Sequence, residues 1–210
     1  MTGHWQDELV ATRRSLHTVV EQVMAGPQYR RSGTIRLRVH DAGIETVAQP
    51  ALRLHGDTVT FGDVVAPLGG RTIADLAEEL GLDAGAPEGL YPDSAGLGSD
   101  EKLVVDVGSS RRLVAAYEVG RDAMQAFHPA ETPVLWPEHF DLGIQWDEVN
   151  YGLSGGDSFH ETPYAYVGPW TPREGGFWNA SFGAVLPVDD DTRAEAVADF
   201  FRRGRELARN

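Results

Sequence analysis

Apolar and polar positions alternate with two different periods along the first eighty residues. Over residues 4–25 the apolar positions recur at three- and four-residue spacing, which predicts an amphipathic helix ending at Gly26 and Pro27. From residue 34 the period changes to two in "TIRLRVH" and "ALRLHGDTVTFG", and turn signals follow at "DAG" and "GD". We therefore predict three or four antiparallel strands, then a short helix over residues 71–81 capped by Thr72.

Residues 83–100 interrupt this periodicity, because "DAGAPEGLYPDSAGLGSD" is rich in Gly, Pro, Ala and Asp. The segment is expected to be a long surface loop or a linker, so that residues 1–210 form a single domain or two packed halves, 1–82 and 101–210. The second half predicts a long helix with a serine cap that ends before Pro129, and a closing helix with a capping box at Thr192 and Glu195. Strands are predicted near residues 133–136, 139–146, 163–168 and 177–186. This order predicts an α+β fold with mainly antiparallel sheet, flanked by an N-terminal, a central and a C-terminal helix.

Charge and composition narrow the classes of partner and site. The 210 residues are 41% hydrophobic, enough for a sizeable core, and carry a formal net charge of -14, which disfavours nucleic acid and membranes as partners. The chain has no cysteine, which excludes disulfides, thiolate metal ligands and cysteine nucleophiles. We find neither a signal-peptide pattern nor a long apolar run, and therefore expect a cytoplasmic protein.

The predicted strand "HFDLGIQW" carries the first candidate chemistry. Its alternation directs Phe140, Leu142, Ile144 and Trp146 to one face, and directs His139, Asp141 and Gln145 to the other. An imidazole and a carboxylate about 7 Å apart suit two ligands of one metal, or a base and the acid that orients it. The same pattern also fits a histidine and an aspartate that face solvent.

A second strand and the loop before it extend this candidate site. The predicted strand "FWNASFGAVL" presents Asn179 and Ser181, which would share a polar floor with the first strand if the two lie in one sheet. The loop "SGGDSFHETPYAYVGPW" would supply the walls of a pocket. Its candidate titratable residues are Asp157, His160 and Glu161. The candidate ligand-binding aromatic residues are Tyr164, Tyr166 and Trp170 of this segment and Trp136 upstream of it.

A divalent metal such as Zn, Mn or nonhaem Fe is one cofactor that these residues could hold. His139, Asp141 and His160 would be its ligands, since imidazole and carboxylate suit all three metals. No HExxH, GxSxG, Walker or GxGxxG pattern occurs in the chain. The sequence therefore indicates no familiar hydrolase or nucleotide-binding motif.

Several segments together resemble a bacterial family of domains of unknown function, whose members share a T-L-H helix, an F-D-L-A strand and a Y-x-Y-x-x-P segment. The matching residues are Leu16, His17, Phe140, Asp141, Leu142, Tyr164, Tyr166 and Trp170. The resemblance implies a common fold and a common pocket, and it implies no particular reaction.

Two functional interpretations remain open at this point. In one, the pocket belongs to a hydrolase- or lyase-type enzyme, in which His139 or His160 acts as base or metal ligand and Asp141 or Glu161 orients that histidine or completes the metal site. In the other, the protein binds a small molecule without transforming it. The sequence leaves the oligomeric state open.

Overall fold

The computed structural model describes residues 3–90, 97–98 and 100–209 and contains two compact units. Unit 1 consists of Met1–Val114 and Leu135–Phe140, and unit 2 consists of Ala115–Val134 and Asp141–Asn210. Helices flank strands whose recorded pairings are all antiparallel, which confirms the predicted α+β class and its N-terminal, central and C-terminal helices. The units differ from the predicted halves, because the described part of the loop at 83–100 belongs to unit 1.

Unit 1 contains an N-terminal helical stretch and a meander of short strands. The elements are α1 (Gly3–Val19), a π-helical segment (Val20–Ala25), α2 (Gly26–Ser32), β1 (Leu37–His40), β2 (Gly43–Thr46), β3 (Leu52–His55), β4 (Thr58–Phe61), β5 (Val64–Pro67), α3 (Ile73–Leu80) and β6 (Val134–Trp136). The strands of this unit lie in the order β6-β1-β2-β3-β4-β5, and β5 is an end strand of the sheet.

The N-terminal helix does not end at Gly26 and Pro27 as predicted. The helical path continues to Ser32, because Pro27 occupies the first turn of α2, where a missing N–H costs no helical hydrogen bond. Gly26 has a packing role instead, since a Cβ there would lie 1.7 Å from the carbonyl oxygen of Gly85.

Hydroxyl side chains of α1 hold the segment that follows the predicted loop. The backbone N–H groups of Leu97, Val104 and Asp106 donate to Thr18 Oγ1 at 2.7 Å, Ser15 Oγ at 2.9 Å and Thr12 Oγ1 at 2.9 Å. These three hydroxyls are buried, so their hydrogen bonds satisfy backbone groups that would otherwise be desolvated. This docking places the segment in unit 1 and explains why the loop does not separate two halves. Residues 91–96 and 99 of the predicted loop lie outside the described residues.

Helix caps agree with the sequence prediction at one helix and differ at two. Thr72 and Asp75 form the capping box of α3, which confirms the predicted cap. Asp106, not a serine, caps the next helix, because its Oδ1 accepts the N–H of Ser109 at 2.7 Å. The predicted capping box of the last helix is wrong, since the Thr192 hydroxyl instead donates to Asp189 Oδ1 at 2.7 Å.

Unit 2 contains four strands in the order β7-β8-β9-β10, with β10 outermost. Two predicted strands are shorter than expected, because β7 begins at Asp141 and β10 only at Ala184. The elements are α4 (Val107–Phe127), whose first eight residues belong to unit 1, β7 (Asp141–Trp146), β8 (Val149–Ser154), β9 (Tyr164–Pro169), β10 (Ala184–Pro187) and α5 (Ala194–Ala208).

Helices α4 and α5 pack on one face of the unit 2 sheet through two glycines. A Cβ at Gly120 would lie 2.8 Å from Leu153 Cβ, and a Cβ at Gly204 would lie 2.8 Å from both γ carbons of Val167. The large ring of Tyr151 is fully buried on this face. Alternation along the strands therefore directs their polar residues to the opposite face. No helix in the described part of the chain is long and apolar enough to cross a membrane.

Candidate functional site

The second face of the unit 2 sheet carries a cluster of tyrosines and carboxylates, which we call the polar face. Register pairs Asp141 with Ser154 and Ser154 with Tyr164, so these three side chains lie in one row across β7, β8 and β9. In the next row with the same orientation, Gly143 pairs with Gly152 and Gly152 pairs with Tyr166. Two glycines thus leave open the space into which the side chain of Tyr166 extends.

The ring of Tyr166 lies across the glycine pair and reaches Asp141. A Cβ at Gly152 would lie 2.3 Å from both Cζ and Oη of Tyr166, and a Cβ at Gly143 would lie 3.5 Å from the same Oη. The hydroxyl of Tyr166 donates a hydrogen bond to Asp141 Oδ2. Gly152 is therefore required for the geometry of this tyrosine–carboxylate pair.

Tyr164 forms a parallel pair with Asp157. Its hydroxyl donates to Asp157 Oδ2 at 2.6 Å, while Asp157 Oδ1 accepts the backbone N–H groups of Phe159 at 2.8 Å and His160 at 3.1 Å. The side chain of Ser154 also hydrogen-bonds Tyr164. This network anchors the loop after β8 to the start of β9.

Both phenols are held in their protonated form. Burial is the largest cause that raises the pKa of Tyr164 well above its ordinary value, and the hydrogen bond to Asp157 is the second. Burial also raises the pKa of Tyr166, with the negative charge of Asp141 as the next largest cause. At neutral pH the two tyrosines are therefore hydrogen-bond donors to carboxylates and cannot act as bases.

Aromatic side chains surround this network. The ring centroids of Tyr164 and Tyr166 are 6.4 Å apart, and the ring of Phe159 lies edge-on to Tyr164 at 5.9 Å. Phe159 also packs edge-on against Phe182 at 5.2 Å, and the two phenylalanines are 49% and 42% exposed. The polar face thus carries hydroxyl and carboxylate groups beside exposed apolar rings.

His160 is the histidine that the structure places beside the polar face. It is half-buried, its ring lies 5.8 Å from the ring of Tyr164, and its Nδ1 lies 2.9 Å from the carbonyl oxygen of Thr162. Because a carbonyl only accepts, this contact places a proton on Nδ1. The Thr162 carbonyl thus orients the imidazole. Glu161 is exposed on the same loop.

The prediction that His139 and Asp141 extend from one face of one strand is wrong. Residues 137–140 form a turn before β7, and Phe140 adopts a left-handed conformation with φ of 50°. The turn breaks the alternation on which the prediction depended. His139 is exposed in this turn.

Asn179 and Ser181 do not contribute to a polar floor, because residues 177–183 precede β10 instead of forming its first half. The amide of Asn179 hydrogen-bonds the backbone of Val185, accepting from its N–H at 2.8 Å and donating to its carbonyl at 3.1 Å. Ser181 is exposed beside the bridge between Ala180 and Gly183. Asn179 is therefore a structural cap of the strand, where the sequence had predicted a ligand contact.

The remaining predicted ligand-binding residues lie in different surroundings. Gln145 shares the orientation of Asp141 along β7 and is exposed. Trp170 follows β9 and is 58% exposed. Trp136 belongs to unit 1, where the guanidinium of Arg36 lies 5.7 Å from its ring centre.

The described residues contain no group of three or more His, Asp or Glu side chains placed to hold a metal ion. The predicted set of His139, Asp141 and His160 is therefore not assembled as a metal centre. The physical reason is the turn at 137–140, which removes His139 from the strand that begins with Asp141.

Sequence reasoning missed several members of the polar face. Ser154 and Gly152 carry no conspicuous local pattern, although their period-two spacing within β8 could have placed them on one face. Asp157 stood out in the sequence as titratable, but its partner Tyr164 follows seven residues later, across a loop. Only the register of β8 and β9 brings these side chains together.

A separate stack occupies the helix-covered face of unit 2. Trp146 is stacked by the His128 ring at 3.8 Å, and the guanidinium of Arg205 lies 3.3 Å from its ring centre. Trp146 lies on the strand face that the alternation predicted for it, and it is half-buried. Arg205 also donates to Asp147 Oδ2 at 2.8 Å, so the stack links α5 to the turn after β7.

Comparison of the chain with protein-family models, with curated proteins and with solved structures found no match. The resemblance to a bacterial family therefore stays a prediction. Any function must be inferred from the residues and their geometry.

Proposed function

We propose that the protein binds a small organic molecule at the polar face of unit 2 without transforming it. The observation that carries this proposal is the pair of tyrosine–carboxylate hydrogen bonds, Tyr164 to Asp157 and Tyr166 to Asp141. We infer that the protein acts in the cytoplasm as a ligand-binding protein.

The protonation state of the network favours binding over catalysis. Each phenol donates a hydrogen bond to a carboxylate. Each phenol also stays protonated at neutral pH, because its pKa is raised. A nucleophile or base would need a group that gives up or gains a proton near neutral pH. A fixed set of hydrogen-bonding groups is instead suited to recognising a ligand's polar groups.

The same residues define the chemistry of the ligand. Oxygen atoms of Asp157 and of the phenols are acceptors, so they are complementary to a ligand that carries hydroxyl, amine or other donor groups. Phe159 and Phe182 offer exposed rings to an apolar or cationic part of that ligand. We therefore expect a small polar molecule with an apolar portion.

A thermal-shift screen with small metabolites tests this function. A ligand at a hundred times its dissociation constant adds about 2.7 kcal/mol, which raises the melting temperature of a chain of this size by roughly 5–10 °C. Asp157→Asn and Tyr164→Phe should abolish the shift, while His55→Gln, an exposed substitution in unit 1, should keep it. Binding at the polar face is contradicted if no metabolite raises the melting temperature. It is equally contradicted if the rise persists in both Asp157→Asn and Tyr164→Phe.

His160 favours a second candidate function, a hydrolase or lyase. The Thr162 carbonyl accepts a hydrogen bond from Nδ1, so in the neutral ring Nε2 is the nitrogen that can accept a proton, as a general base does. If the protein is such an enzyme, His160→Gln should lower turnover of a substrate found by screening by about a hundredfold or more. Equal turnover by the wild-type protein and His160→Gln would exclude this role for His160.

A further inference from the structure

Hydroxyl groups of the polar face direct their protons toward its carboxylates. The hydrogen bond between Ser154 and Tyr164 acts to lower the pKa of the phenol, which is the effect of a bond donated to its oxygen. Ser154 therefore donates to Tyr164, and Tyr164 donates to Asp157 Oδ2 at 2.6 Å. Tyr166 likewise donates to Asp141. A ligand that approaches these groups meets oxygen lone pairs, so the ligand must supply the hydrogen-bond donors.

The carboxylate of Asp157 has room for one more donor. Its Oδ1 accepts the backbone N–H groups of Phe159 and His160, and its Oδ2 accepts the hydroxyl of Tyr164. A carboxylate offers about four acceptor positions, which leaves one position on Oδ2. The side chain is exposed, so a ligand can reach that position. In the described part of the chain no basic side chain forms an ion pair with Asp157.

The charges around the polar face are acidic. Residues 122–172 contain no lysine or arginine, and this stretch includes β7, β8, β9 and the loop after β8. The same stretch contributes the carboxylates of Asp141, Asp157 and Glu161. The next basic residue, Arg173, hydrogen-bonds the C-terminal end of α5, which packs on the other face of the sheet. The polar face therefore attracts cations and repels anions.

Aromatic rings stand beside the Asp157 carboxylate. The ring of Phe159, two residues after Asp157, is inclined by 63° to the ring of Tyr164 and by 75° to the ring of Phe182. The three rings therefore form walls that face different directions, and both phenylalanines are exposed. Aromatic rings attract ammonium groups through their π electrons and pack against carbon chains. An inorganic metal ion gains nothing from such packing, whereas an organic cation uses the rings and the carboxylate together.

We propose that the ligand of the polar face is an organic ammonium ion, whose N–H donates to Asp157 Oδ2 and whose carbon skeleton packs on Phe159 and Phe182. This inference rests on the proposed function, because it names the class of molecule that the same site binds. A neutral alcohol of the same shape supplies a donor without a charge, and a carboxylate of the same shape is repelled. Because Asp157 is exposed, its attraction for the cation should weaken as salt is added.

Three probes of similar shape separate charge from shape. Phenethylamine, phenethyl alcohol and phenylpropionate carry the same ring, and at neutral pH they are a cation, a neutral molecule and an anion. In calorimetric titrations of the full chain, the amine should bind at least about tenfold more tightly than the alcohol, because a hydrogen bond to a carboxylate is stronger from a charged donor. The propionate should bind more weakly than either. Raising the salt concentration from about 0.05 M to about 0.5 M should weaken the amine and leave the alcohol unchanged.

Two substitutions assign the charge preference to the site. Asp157→Asn should weaken binding of the amine by at least about tenfold and binding of the alcohol by less than about threefold. Glu78→Gln, which removes one negative charge from an exposed position of unit 1, should change neither affinity. Phe159→Leu keeps an apolar side chain at an exposed position but removes the ring, and should weaken the amine by about two- to fivefold.

Several results would overturn the ammonium proposal. The alcohol or the propionate binding as tightly as the amine would do so, as would an amine that fails to bind or that binds Asp157→Asn as tightly as the wild-type chain. If Asp157→Asn does not fold, the comparison of the three probes on the wild-type chain and on Phe159→Leu decides. The metabolite screen keeps the two proposals apart. Neutral or anionic hits that are lost in Tyr164→Phe would refute the ammonium class and retain the polar face as a binding site, whereas a screen without hits contradicts both.

Discussion

Replacing Gly152 with alanine should displace Tyr166 from Asp141. The new Cβ would lie 2.3 Å from Cζ and Oη and 2.5 Å from Cε1 of Tyr166, distances that two packed atoms cannot sustain. The ring must move off the sheet, and its hydroxyl then loses the hydrogen bond to the carboxylate. Gly143 is a matched control on the same face, since its added Cβ would meet nothing closer than the Tyr151 carbonyl oxygen at 3.4 Å.

The expected cost follows from two contributions. Loss of a hydrogen bond to a charged group costs about 1.5–3 kcal/mol, and overpacking a well-packed site costs about 1–3 kcal/mol. Because these overlap when the ring moves away, we expect Gly152→Ala to lower the free energy of unfolding by about 2–4 kcal/mol. With a denaturant slope of about 2 kcal/mol/M, the urea midpoint should fall by roughly 1–2 M. Gly143→Ala should change the free energy of unfolding by less than about 1 kcal/mol.

Urea unfolding of a double-mutant cycle measures whether the cost arises at Tyr166. In a Tyr166→Ala background the ring is absent, so Gly152→Ala should cost less than about 1 kcal/mol there. An undiminished cost in that background would show that the glycine is needed for some reason other than the ring. Equal costs for Gly152→Ala and Gly143→Ala would refute the geometric argument altogether.

Two further predictions concern buried titratable groups. Burial raises the pKa of Tyr151 to about 12, and its hydroxyl has no hydrogen-bond partner among the described residues, so Tyr151→Phe should leave the free energy of unfolding unchanged or raise it by about 1 kcal/mol. Urea unfolding checks this, and a loss above about 1 kcal/mol would reveal a partner for the hydroxyl. Burial lowers the pKa of His17 below 6.5, although its Nε2 contacts the Pro137 carbonyl at 2.7 Å. As the pH falls, His17 therefore gains its proton in the unfolded chain before it does so in the folded protein. The free energy of unfolding should accordingly fall as the pH drops below 6.5. His17→Gln should flatten this fall in a series of thermal melts from pH 7.5 to pH 5, and exposed His40→Gln should not; an unchanged slope in His17→Gln would contradict the assignment.

The period of the apolar positions predicted most elements because burial on one face acts locally. Helix α3 with its cap at Thr72 and the short strands of unit 1 follow from spacing and turn residues that lie within a few positions of each other. The class of fold followed from the order of these elements. Boundaries failed where a single residue overrode the pattern, as at Phe140, whose left-handed conformation starts β7 two residues late.

Polar residues of the candidate site were partly predictable. Tyr164, Tyr166, Asp141 and His160 stood out by residue type, and the structure places all four in unit 2. Their partners did not follow from the sequence, because Tyr166 and Asp141 are 25 residues apart and meet only through the register of three strands. The predicted place of Asn179 on a strand was wrong for another reason, because residues 177–183 precede β10 and the Asn179 amide caps Val185.

The amino-acid sequence by itself determined the helices, the short strands and the exclusion of thiol chemistry, because periodicity and composition are local or summed properties. Tertiary structure alone decided which tyrosine donates to which carboxylate, which strand edge is capped and which imidazole lies beside the polar face. Each of these depends on which strands and loops lie side by side, and that arrangement exists only after strand pairing has set the register.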